Sequence, residues 1–382
     1  MNKFTDLNIS RLGFGGMRFP YGGGKGGFDI ELIKQMVDRY IEAGGNYFDT
    51  AFIYDGSEEA FKKALIGRHP RDSFYFADKL SMWCVKDKND KDRFFNEQLE
   101  RTGTDYFDSY LLHSIGGWSM KQIEEFDMLD YFRKLKESGK ARHIGFSFHD
   151  SAEALDKFLT EVGIFEFAQL QINYLDWYSE KFRADRLHEV AVKHNIPIIV
   201  MEPVRGGYLS NLPGGLNGIF NGSHTGSGQP GTVVPTVSSW AIRFAASLPG
   251  VVTVLSGMSS MEQIDDNINS LMADFRPLSE TEHCVIREVV ESFKKYSTVP
   301  CTACNYCNIC PNGVLIPEIL KISNDHMING DIWGMKGAYK KIDADKNAAA
   351  CTECGACVPV CPQGIDIPAK IREIGANFDK DV

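Results

Sequence analysis

Between about residues 10 and 280, eight short β-rich runs alternate with longer helical patterns. Such alternation is typical of α/β folds with a parallel sheet. The candidate strands are "SRLGFGGM" (10–17), "NYFDT" (46–50), "FYFADK" (74–79), "FDSYLLH" (107–113), "RHIGFS" (142–147), "FAQLQIN" (167–173), "PIIVME" (197–202) and "VVTVLSG" (251–257). Eight strands, each followed by a helix, favour a closed (β/α)8 TIM barrel over an open doubly wound sheet, which stays the alternative. The stretch "GFGGM" is not a dinucleotide fingerprint, because the third glycine of that motif is missing.

The chain of 382 residues is long for one hydrophobic core, so a large domain with a smaller appendage is expected. After a helical pattern at 279–296, the sequence "STVP" leads into a cysteine-rich region. This change predicts a barrel domain over residues 1–296 and a small, mainly helical domain over residues 297–382. The glycine-rich stretch 208–235 follows the seventh strand, and it is predicted to be a lid at the catalytic face or an unstructured insertion.

The composition argues against several classes of protein. The net charge of −10 is spread along the chain, and no basic stripe indicates a nucleic-acid surface. Apolar residues make up 43%, but no apolar run is long enough to cross a membrane. The first residues, "MNKFTDLNIS", lack the order of a secretory signal, so we expect a cytoplasmic protein whose cysteines are reduced thiols or metal ligands.

Four polar residues lie at or just after the ends of three neighbouring candidate strands: Asp49, Tyr54, Lys79 and His113. In a (β/α)8 barrel these strand ends meet at the catalytic face. A buried Lys79 stays charged when Asp49 pairs with it, and its ammonium group lowers the pKa of Tyr54. Tyr54 can then protonate a carbonyl oxygen as hydride arrives at carbon, while His113 orients that carbonyl group. The four residues together predict a site for carbonyl reduction.

The motifs that carry these residues, "FDTAFIY", "FADK" and "YLLHS", resemble those of the aldo-keto reductase superfamily and occur in the same order. Further similar stretches are "GFGGM", "GFS" at 145–147, "QLQINY" at 169–174, "MEPVRGG" at 201–207 and "LSGMSSMEQIDDNI" at 255–268, so the resemblance covers roughly residues 3–275. It implies a barrel that binds NADP(H) or NAD(H) across its C-terminal mouth and reduces carbonyl groups. The implied roles are Tyr54 as general acid, Asp49 and Lys79 as its tuning pair, and His113 as the residue that orients the substrate.

The same resemblance implies a set of cofactor-binding residues. Ser147 and Gln171 hold the nicotinamide carboxamide, and the loop and helix start at 256–267 hold the adenosine phosphate end, where backbone N–H groups suit an anion. The full set is Gly16, Met17, Ser147, Gln171, Glu202, Pro203, Val204, Ser256, Gly257, Met258, Ser259, Gln263 and Asn267.

Several positions depart from the family pattern. Phe148 stands where asparagine is common, and Met201 stands where an aromatic ring often stacks under the nicotinamide. Gly257 and Gln263 occupy positions where some members use lysine and arginine to clamp a 2′-phosphate. The choice between NADP and NAD therefore stays open, with NADP favoured because Ser259, Ser260, Gln263 and Asn267 resemble other branches that accept it.

Eight of the ten cysteines form two runs near the C-terminus. Thiolates at i, i+3 and i+6, followed by Cys-Pro, are typical of 4Fe–4S ligands, whereas zinc usually takes two pairs of ligands. The second run has the full C-x2-C-x2-C-x3-C-P form, and the first run is one residue shorter before its last cysteine. In two-cluster ferredoxins the fourth cysteine of each run binds the other cluster. The predicted ligand groups are Cys301, Cys304 and Cys307 with Cys361, and Cys351, Cys354 and Cys357 with Cys310.

This tail resembles the helical ferredoxin-type domain of one branch of the aldo-keto reductase superfamily. Nicotinamide gives up two electrons together as hydride, a 4Fe–4S cluster passes one at a time, and the sequence contains no flavin motif. We expect an NAD(P)H-dependent oxidoreductase of a small carbonyl substrate, with two clusters for electron transfer in a low-oxygen metabolism. Two alternative functions stay open: a reductase of activated C=C bonds that holds a flavin in the barrel mouth and receives electrons from a redox protein partner, and a redox-sensing nucleotide-binding module. A structural or oxygen-sensing role of the clusters also stays open.

Overall fold

A computed structural model describes residues 3–22, 27–222, 236–273, 275–296 and 298–378. The chain forms two compact units, neither of which is continuous in sequence. The first comprises Met1–Val204 and Ser238–Ser279, and the second comprises Arg205–Val237 and Glu280–Val382. Residues 205–237 therefore belong to the second unit, although they lie in the sequence between the last two strands of the first unit. The domain boundary predicted at residue 297 stays a prediction.

The described part of the first unit contains a closed barrel of parallel strands, in which each strand pairs with the next and the last pairs with the first. The strands are β1 (Leu12–Gly15), β2 (Tyr47–Asp49), β3 (Tyr75–Ser81), β4 (Phe107–Ile115), β5 (Ala141–Phe148), β6 (Phe167–Gln171), β7 (Ile198–Met201) and β8 (Val251–Gly257). Each strand overlaps the run predicted for it. The predicted TIM barrel is confirmed, and the open doubly wound sheet is wrong.

The α-helices in the described ranges follow the strands of the barrel and then fill the C-terminal region. They are α1 (Ile30–Glu42), α2 (Ser57–Phe61), α3 (Asp90–Thr102), α4 (Met120–Glu125), α5 (Met128–Glu137), α6 (Ala152–Glu161), α7 (Tyr174–Trp177), α8 (Ala184–Lys193), α9 (Asn217–Gly222), α10 (Val237–Ala246), α11 (Met261–Ile268), α12 (Glu280–Phe293), α13 (Ile316–Asn329), α14 (Ile332–Tyr339) and α15 (Ile367–Phe378). None of them is both long enough and apolar enough to span a membrane.

Helix α1 shows how the predicted helical patterns form. The Asp29 carboxylate accepts a hydrogen bond from the Leu32 N–H at 3.0 Å and so caps the first turn. One stripe of the helix is buried against the barrel, and its side chains are Ile33, Met36, Val37 and Tyr40. The helix ends before Gly44, whose φ of 89° is a conformation that glycine adopts without steric cost.

Apolar side chains fill the N-terminal part of the barrel interior. They come from most of the strands and from a short helix that precedes β1, and they are Phe4, Tyr47, Ala77, Leu111, Phe167, Ile199 and Leu255. Phe4 stacks on Phe167 with ring centroids 4.2 Å apart. Because this apolar layer fills one end of the barrel, inward-facing polar residues lie towards the C-terminal ends of the strands.

The second unit has its own hydrophobic core beside the cysteine runs. Helices α13 and α15 contribute most of its buried aliphatic side chains, among them Ile319, Leu320 and Ile371, and Tyr339 of α14 packs with them. Of the predicted lid or insertion at 208–235, residues 223–235 lie outside the described residues. The described part includes α9, and the role of this segment stays a prediction.

Two carboxyl groups, those of Glu58 on α2 and Asp78 on β3, are almost completely buried. Glu58 Oε2 accepts a hydrogen bond from Arg101 Nη1 at 2.9 Å, and Asp78 Oδ1 accepts one from Gln98 Nε2 at 2.6 Å. Burial raises the pKa of Glu58 to about 6. Burial, together with the charge of Glu58, raises the pKa of Asp78 well above its ordinary range. The pair therefore holds a proton under conditions where exposed carboxyl groups are ionised.

Replacing Glu58 with glutamine tests this pair through the pH dependence of stability. The folded-state pKa of about 6 lies above the ordinary value of 4.5, so the folded chain binds the proton more tightly than the unfolded chain. The resulting stabilisation is complete below about pH 4.5 and is lost as the pH rises through about 6. We expect the free energy of unfolding of the wild type, relative to Glu58→Gln, to fall by on the order of 2 kcal/mol over that window in denaturant titrations.

Glu97→Gln is the matched control, because Glu97 is a second carboxylate partner of Arg101 but is only partly buried. This variant should keep the pH dependence of the wild type. If the free energy of unfolding of the wild type and that of Glu58→Gln changed in parallel with pH, the raised pKa of Glu58 would be contradicted.

Candidate active site and cysteine cavities

A layer of polar side chains lies inside the barrel directly above the apolar layer. Side chains two residues apart on a strand point to the same face. Asp49, Lys79 and His113 follow Tyr47, Ala77 and Leu111 of the apolar layer by that spacing. The alternation of each strand thus brings an acid, an amine and an imidazole into the C-terminal half of the barrel.

Lys79 is fully buried and makes an ion pair with Asp49. Its Nζ atom lies 2.5 Å from Asp49 Oδ1 and 2.7 Å from the Thr50 carbonyl oxygen. Burial is the largest influence on the pKa of Lys79 and lowers it, but the negative charges nearby, led by Asp49, outweigh burial and leave this pKa raised. Burial raises the pKa of Asp49, and the ammonium group opposes that effect. Lys79 therefore keeps its positive charge inside the barrel.

Tyr54 lies beside this ammonium group. Its hydroxyl oxygen is 3.4 Å from Lys79 Nζ, and the same nitrogen lies 4.8 Å from the centroid of the phenol ring. A positive charge at this distance stabilises the negative charge that develops on the phenol oxygen when its proton leaves. Tyr54 is thus placed to act as a proton donor.

His113 approaches Tyr54 from β4. The two rings meet edge to face with their centroids 5.8 Å apart, and the ring of Trp83 lies 5.6 Å from that of His113. Burial, followed by the charge of Lys79, holds the pKa of His113 well below its ordinary range, so the imidazole is neutral. Ser81 Oγ lies 2.9 Å from His113 Nδ1. A hydroxyl group that donates to Nδ1 leaves the imidazole hydrogen on Nε2, which makes that nitrogen a donor.

Gln169 and Ser81 belong to this site, although neither is among the predicted residues. Gln169 Nε2 donates to the second carboxylate oxygen of Asp49 at 3.1 Å and so holds the acid in place. The sequence pattern that could have identified Gln169 is its spacing from the predicted residue Gln171. The two residues are two positions apart, so they share one face of β6. Ser81 had the same signal relative to Lys79.

The residues predicted to bind the nucleotide lie around the same end of the barrel. They are Gly16 and Met17 after β1, Ser147 in β5, Gln171 at the end of β6, Glu202, Pro203 and Val204 after β7, Ser256, Gly257, Met258 and Ser259 at and after the end of β8, and Gln263 and Asn267 in α11. Since all the strands are parallel, these positions share the C-terminal face with Tyr54.

Two of these side chains are already oriented by hydrogen bonds. Ser147 Oγ accepts a hydrogen bond from the Ser114 N–H at 2.6 Å, which leaves the serine hydroxyl hydrogen to donate. Gln171 Nε2 donates to Asp176 Oδ2 at 2.7 Å. Phe148, the first departure from the family pattern, is buried at the end of β5 and has no polar side-chain group to offer a carboxamide.

The start of α11 is a capped helix terminus. The Ser259 N–H donates to Gln263 Oε1 at 2.7 Å, and Ser260 Oγ accepts a hydrogen bond from the Gln263 N–H. Asn267 Nδ2 donates to Ser256 Oγ at 2.7 Å and ties the helix to β8. Backbone N–H groups at such a terminus favour an anion.

Arg18 is a cation at this face that was not among the predicted residues. Its Nη2 atom lies 3.7 Å from Glu202 Oε1, and its carbonyl oxygen accepts a hydrogen bond from Ser259 Oγ at 2.7 Å. The stem of its side chain packs against Gly257, where a Cβ atom would lie 3.1 Å from Arg18 Cγ. The signal for it was a basic residue directly after "GFGGM".

In the second unit, the eight clustered cysteines line two small cavities. The first cysteine cavity is lined by Cys301, Cys304, Cys307 and Cys361, and the second by Cys310, Cys351, Cys354 and Cys357. Each cavity therefore gathers three cysteines of one run and the last cysteine of the other. This is the arrangement by which two-cluster ferredoxins hold their clusters.

The two runs share a pattern of positive φ angles, and the repeat extends beyond the cysteines. Positive φ angles occur at matching positions, at Ala303, Asn305 and Gly313 in the first run and at Glu353, Gly355 and Gly364 in the second. "CPNGVLIP" leads into α13 as "CPQGIDIP" leads into α15. The shorter spacing before Cys310 goes with a 3-10 helix at Tyr306–Ile309, where the second run has turns, but the positive φ angles keep their positions relative to the cysteines.

Each cysteine cavity is lined by four thiols, which is the number of cysteine ligands that a 4Fe–4S cluster takes. No disulfide joins any of these eight cysteines, all of which lie within the described residues. Among the described residues, no group of three or more His, Cys, Asp or Glu side chains is arranged to hold a single metal ion. Burial raises the pKa of Cys307 to about 12 and that of Cys357 to about 11. An iron–sulfur core would supply the positive charge that these buried thiols need in order to be deprotonated.

Comparisons with known proteins identify one family for the barrel region and one for the cysteine-rich region. The "Aldo/keto reductase family" profile matches residues 11–225, and the "4Fe-4S dicluster domain" profile matches residues 300–365. The "uncharacterized oxidoreductase YqkF" of Bacillus subtilis is 25% identical over 300 residues, which cover 73% of this chain and 92% of that protein. The "NADH-specific methylglyoxal reductase" of Escherichia coli is 24% identical over 335 residues, which cover 76% and 98%.

Solved structures share the barrel. The holo form of the aldo-keto reductase AKR11C1 from Bacillus halodurans superimposes with a TM-score of 0.59 at 25% identity and covers 74% of this chain and 93% of its own. An aldo-keto reductase from Klebsiella pneumoniae in complex with NADPH gives a TM-score of 0.59 at 23% identity, covering 74% and 91%, and so supports the fold. The chain is therefore an oxidoreductase of the aldo/keto reductase family that carries a 4Fe–4S dicluster domain after its barrel.

Proposed function

We propose that the barrel reduces a small carbonyl substrate with hydride from NADP(H) or NAD(H), and that the second unit holds two 4Fe–4S clusters for electron transfer. The observation that carries the first part is the Lys79 ammonium group, which is charged, buried and 3.4 Å from the Tyr54 hydroxyl oxygen. A cytoplasmic location and a redox protein as partner belong to the same proposal.

In this proposal the chain's own groups handle the proton and orient the substrate. The Tyr54 hydroxyl group donates its proton to the carbonyl oxygen, and Lys79 stabilises the phenolate that results. His113 Nε2 donates a hydrogen bond to the same carbonyl oxygen and fixes the carbonyl in place. The bound nicotinamide supplies the hydride. Asp49 keeps Lys79 charged throughout, because their contact is 2.5 Å and almost free of solvent.

The nucleotide would lie along the C-terminal face between Ser147 and the start of α11. Ser147 has a hydroxyl hydrogen to donate to the carboxamide, and the N-terminus of α11 suits a phosphate. Arg18 supplies a cation near Ser259, although Gly257 and Gln263 lack the clamp that some relatives use. The Escherichia coli relative is named for NADH and the Klebsiella pneumoniae structure contains NADPH, so either nucleotide is compatible with the proposal.

The eight cysteines would hold the clusters in the two groups that line the cavities. The clusters, when bound, supply single-electron transfer. In this assignment, Cys361 completes the ligand set of Cys301, Cys304 and Cys307, and Cys310 completes that of the second run.

Tyr54→Phe removes the proton donor and leaves the ring and its packing. We expect kcat for carbonyl reduction to fall by roughly 10²- to 10⁴-fold, because general acid catalysis contributes about that much. The dissociation constant for NADPH or NADH should stay unchanged, as measured by fluorescence titration. Tyr21→Phe is the control, since Tyr21 is 75% exposed. If Tyr54→Phe kept wild-type turnover, Tyr54 would not be the general acid.

Paired cysteine substitutions test which thiols share a cluster. Protein purified without oxygen should contain about eight iron atoms per chain, as two 4Fe–4S clusters require. Cys301→Ala with Cys361→Ala should leave about four, because both substitutions strike the same cluster, whereas Cys301→Ala with Cys310→Ala should remove both clusters. The opposite pattern would assign each cluster to a single run. Cys284→Ala is the control, because Cys284 lines neither cysteine cavity.

A further inference from the structure

The second unit contains a cavity of about 460 Å³ that neither the hydride chemistry nor the cluster ligands account for. Its wall includes residues 206–208, residues 211–214, residues 301–303 and one face of α13. We call it the glycine-walled cavity. Its volume lies within the range of small-molecule sites, which is roughly 300 to 1,000 Å³.

The glycine-walled cavity shares part of its wall with the first cysteine cavity. Cys301, Thr302 and Pro317 line both. An occupant of the glycine-walled cavity would therefore contact the chain at a proposed ligand of the first cluster.

The wall beside Cys301 is shaped by a close backbone approach. Gly206 has a φ of 66°, and a Cβ atom there would lie 2.4 Å from the Thr302 carbonyl oxygen. Only glycine allows both this φ and this contact without a shift of the backbone. The approach of residues 206–208 to the first cysteine run is thus built into the sequence.

The polar side chains that line the glycine-walled cavity offer a hydrogen-bond donor to a ligand and carry no net charge. Asn324 is buried, and its amide nitrogen donates to the Tyr208 hydroxyl oxygen at 2.6 Å and to the Val299 carbonyl oxygen at 2.8 Å. Because Tyr208 accepts this bond, its own hydroxyl hydrogen is left to donate. Lys321 and Asp325, which also line the cavity, neutralise each other through a contact of 2.5 Å.

These features select for one kind of ligand. Thiolates at the neighbouring cluster site repel an anion, and the Lys321–Asp325 pair leaves no excess positive charge to attract one. Tyr208 offers both an aromatic face and a donor for a carbonyl oxygen. A position beside Cys301 suits a molecule that exchanges single electrons with a cluster.

We infer that the glycine-walled cavity binds an uncharged planar ring that carries carbonyl acceptors and takes up electrons singly, of the quinone or isoalloxazine type. The inference rests on the proposed function in one respect, which is that the first cysteine cavity holds a cluster. Such a ring accepts electrons one at a time or in pairs, which is the property that hydride and cluster chemistry together require.

The test is equilibrium binding to holoprotein purified without oxygen. The probes are 2,3-dimethyl-1,4-naphthoquinone, which has no free quinone-ring position for a thiol to attack, and lumiflavin, which has no phosphate; protein and lumiflavin fluorescence report binding. We expect one of the two rings to bind at one per chain, and the ring that binds identifies the class. FMN, which adds a phosphate to the isoalloxazine ring, should bind at least threefold more weakly than lumiflavin.

Three variants locate the site. Leu212→Trp should weaken ring binding by more than tenfold, because Leu212 lines the cavity and the indole fills it. Met327→Trp places the same side chain on the exposed face of α13 and should leave binding unchanged. Tyr208→Phe should weaken binding by roughly 3- to 10-fold, the value of one hydrogen bond.

Iron content, measured on the same samples, separates this inference from the proposed function. Failure of both rings to bind protein that contains about eight iron atoms per chain would overturn the inference and leave the cluster assignment intact. Equal binding to the wild type and to Leu212→Trp, or tighter binding of FMN than of lumiflavin, would also overturn it. Low iron in protein that still binds a ring would contradict the cluster assignment and the inferred link to it.

Discussion

The active site depends on one buried ion pair, that of Lys79 with Asp49. An ammonium group with no solvent exposure costs several kcal/mol to bury, and a carboxylate in hydrogen-bonded contact offsets that cost. Gln169 and the Thr50 carbonyl oxygen hold the pair in place, and the apolar layer below it closes the barrel to water. Tyr54 lies beside this pair, with its hydroxyl oxygen 3.4 Å from Lys79 Nζ.

The second unit repeats one construction twice. Each half contains a loop with positive φ angles around its second cysteine, then a Cys-Pro turn and a helix. The last cysteine of each half lines the cavity of the other half. The proposed clusters would pass single electrons, whereas the chemistry proposed for the barrel transfers hydride. The glycine-walled cavity, which borders Cys301, is the inferred site for a carrier that accepts electrons singly or in pairs.

The barrel and the positions of Asp49, Lys79 and His113 could be predicted, because each is encoded locally by a strand with period-two alternation and a polar residue at its end. Gln169, Ser81 and Arg18 carried weaker signals, since their roles depend on contacts with other strands that one sequence does not reveal. The second unit was harder still: its inclusion of residues 205–237 depends on packing between segments far apart in the chain.

The most direct test of the account replaces Tyr54 with a fluorinated tyrosine, which keeps the shape of the side chain and lowers the pKa of its phenol. The measurement is the pH dependence of kcat for carbonyl reduction in an otherwise unchanged protein. In the proposed mechanism Tyr54 acts in its protonated form, so the alkaline limb of the profile should move to lower pH as the number of fluorine atoms rises. A limb that stays in place would show that another group donates the proton.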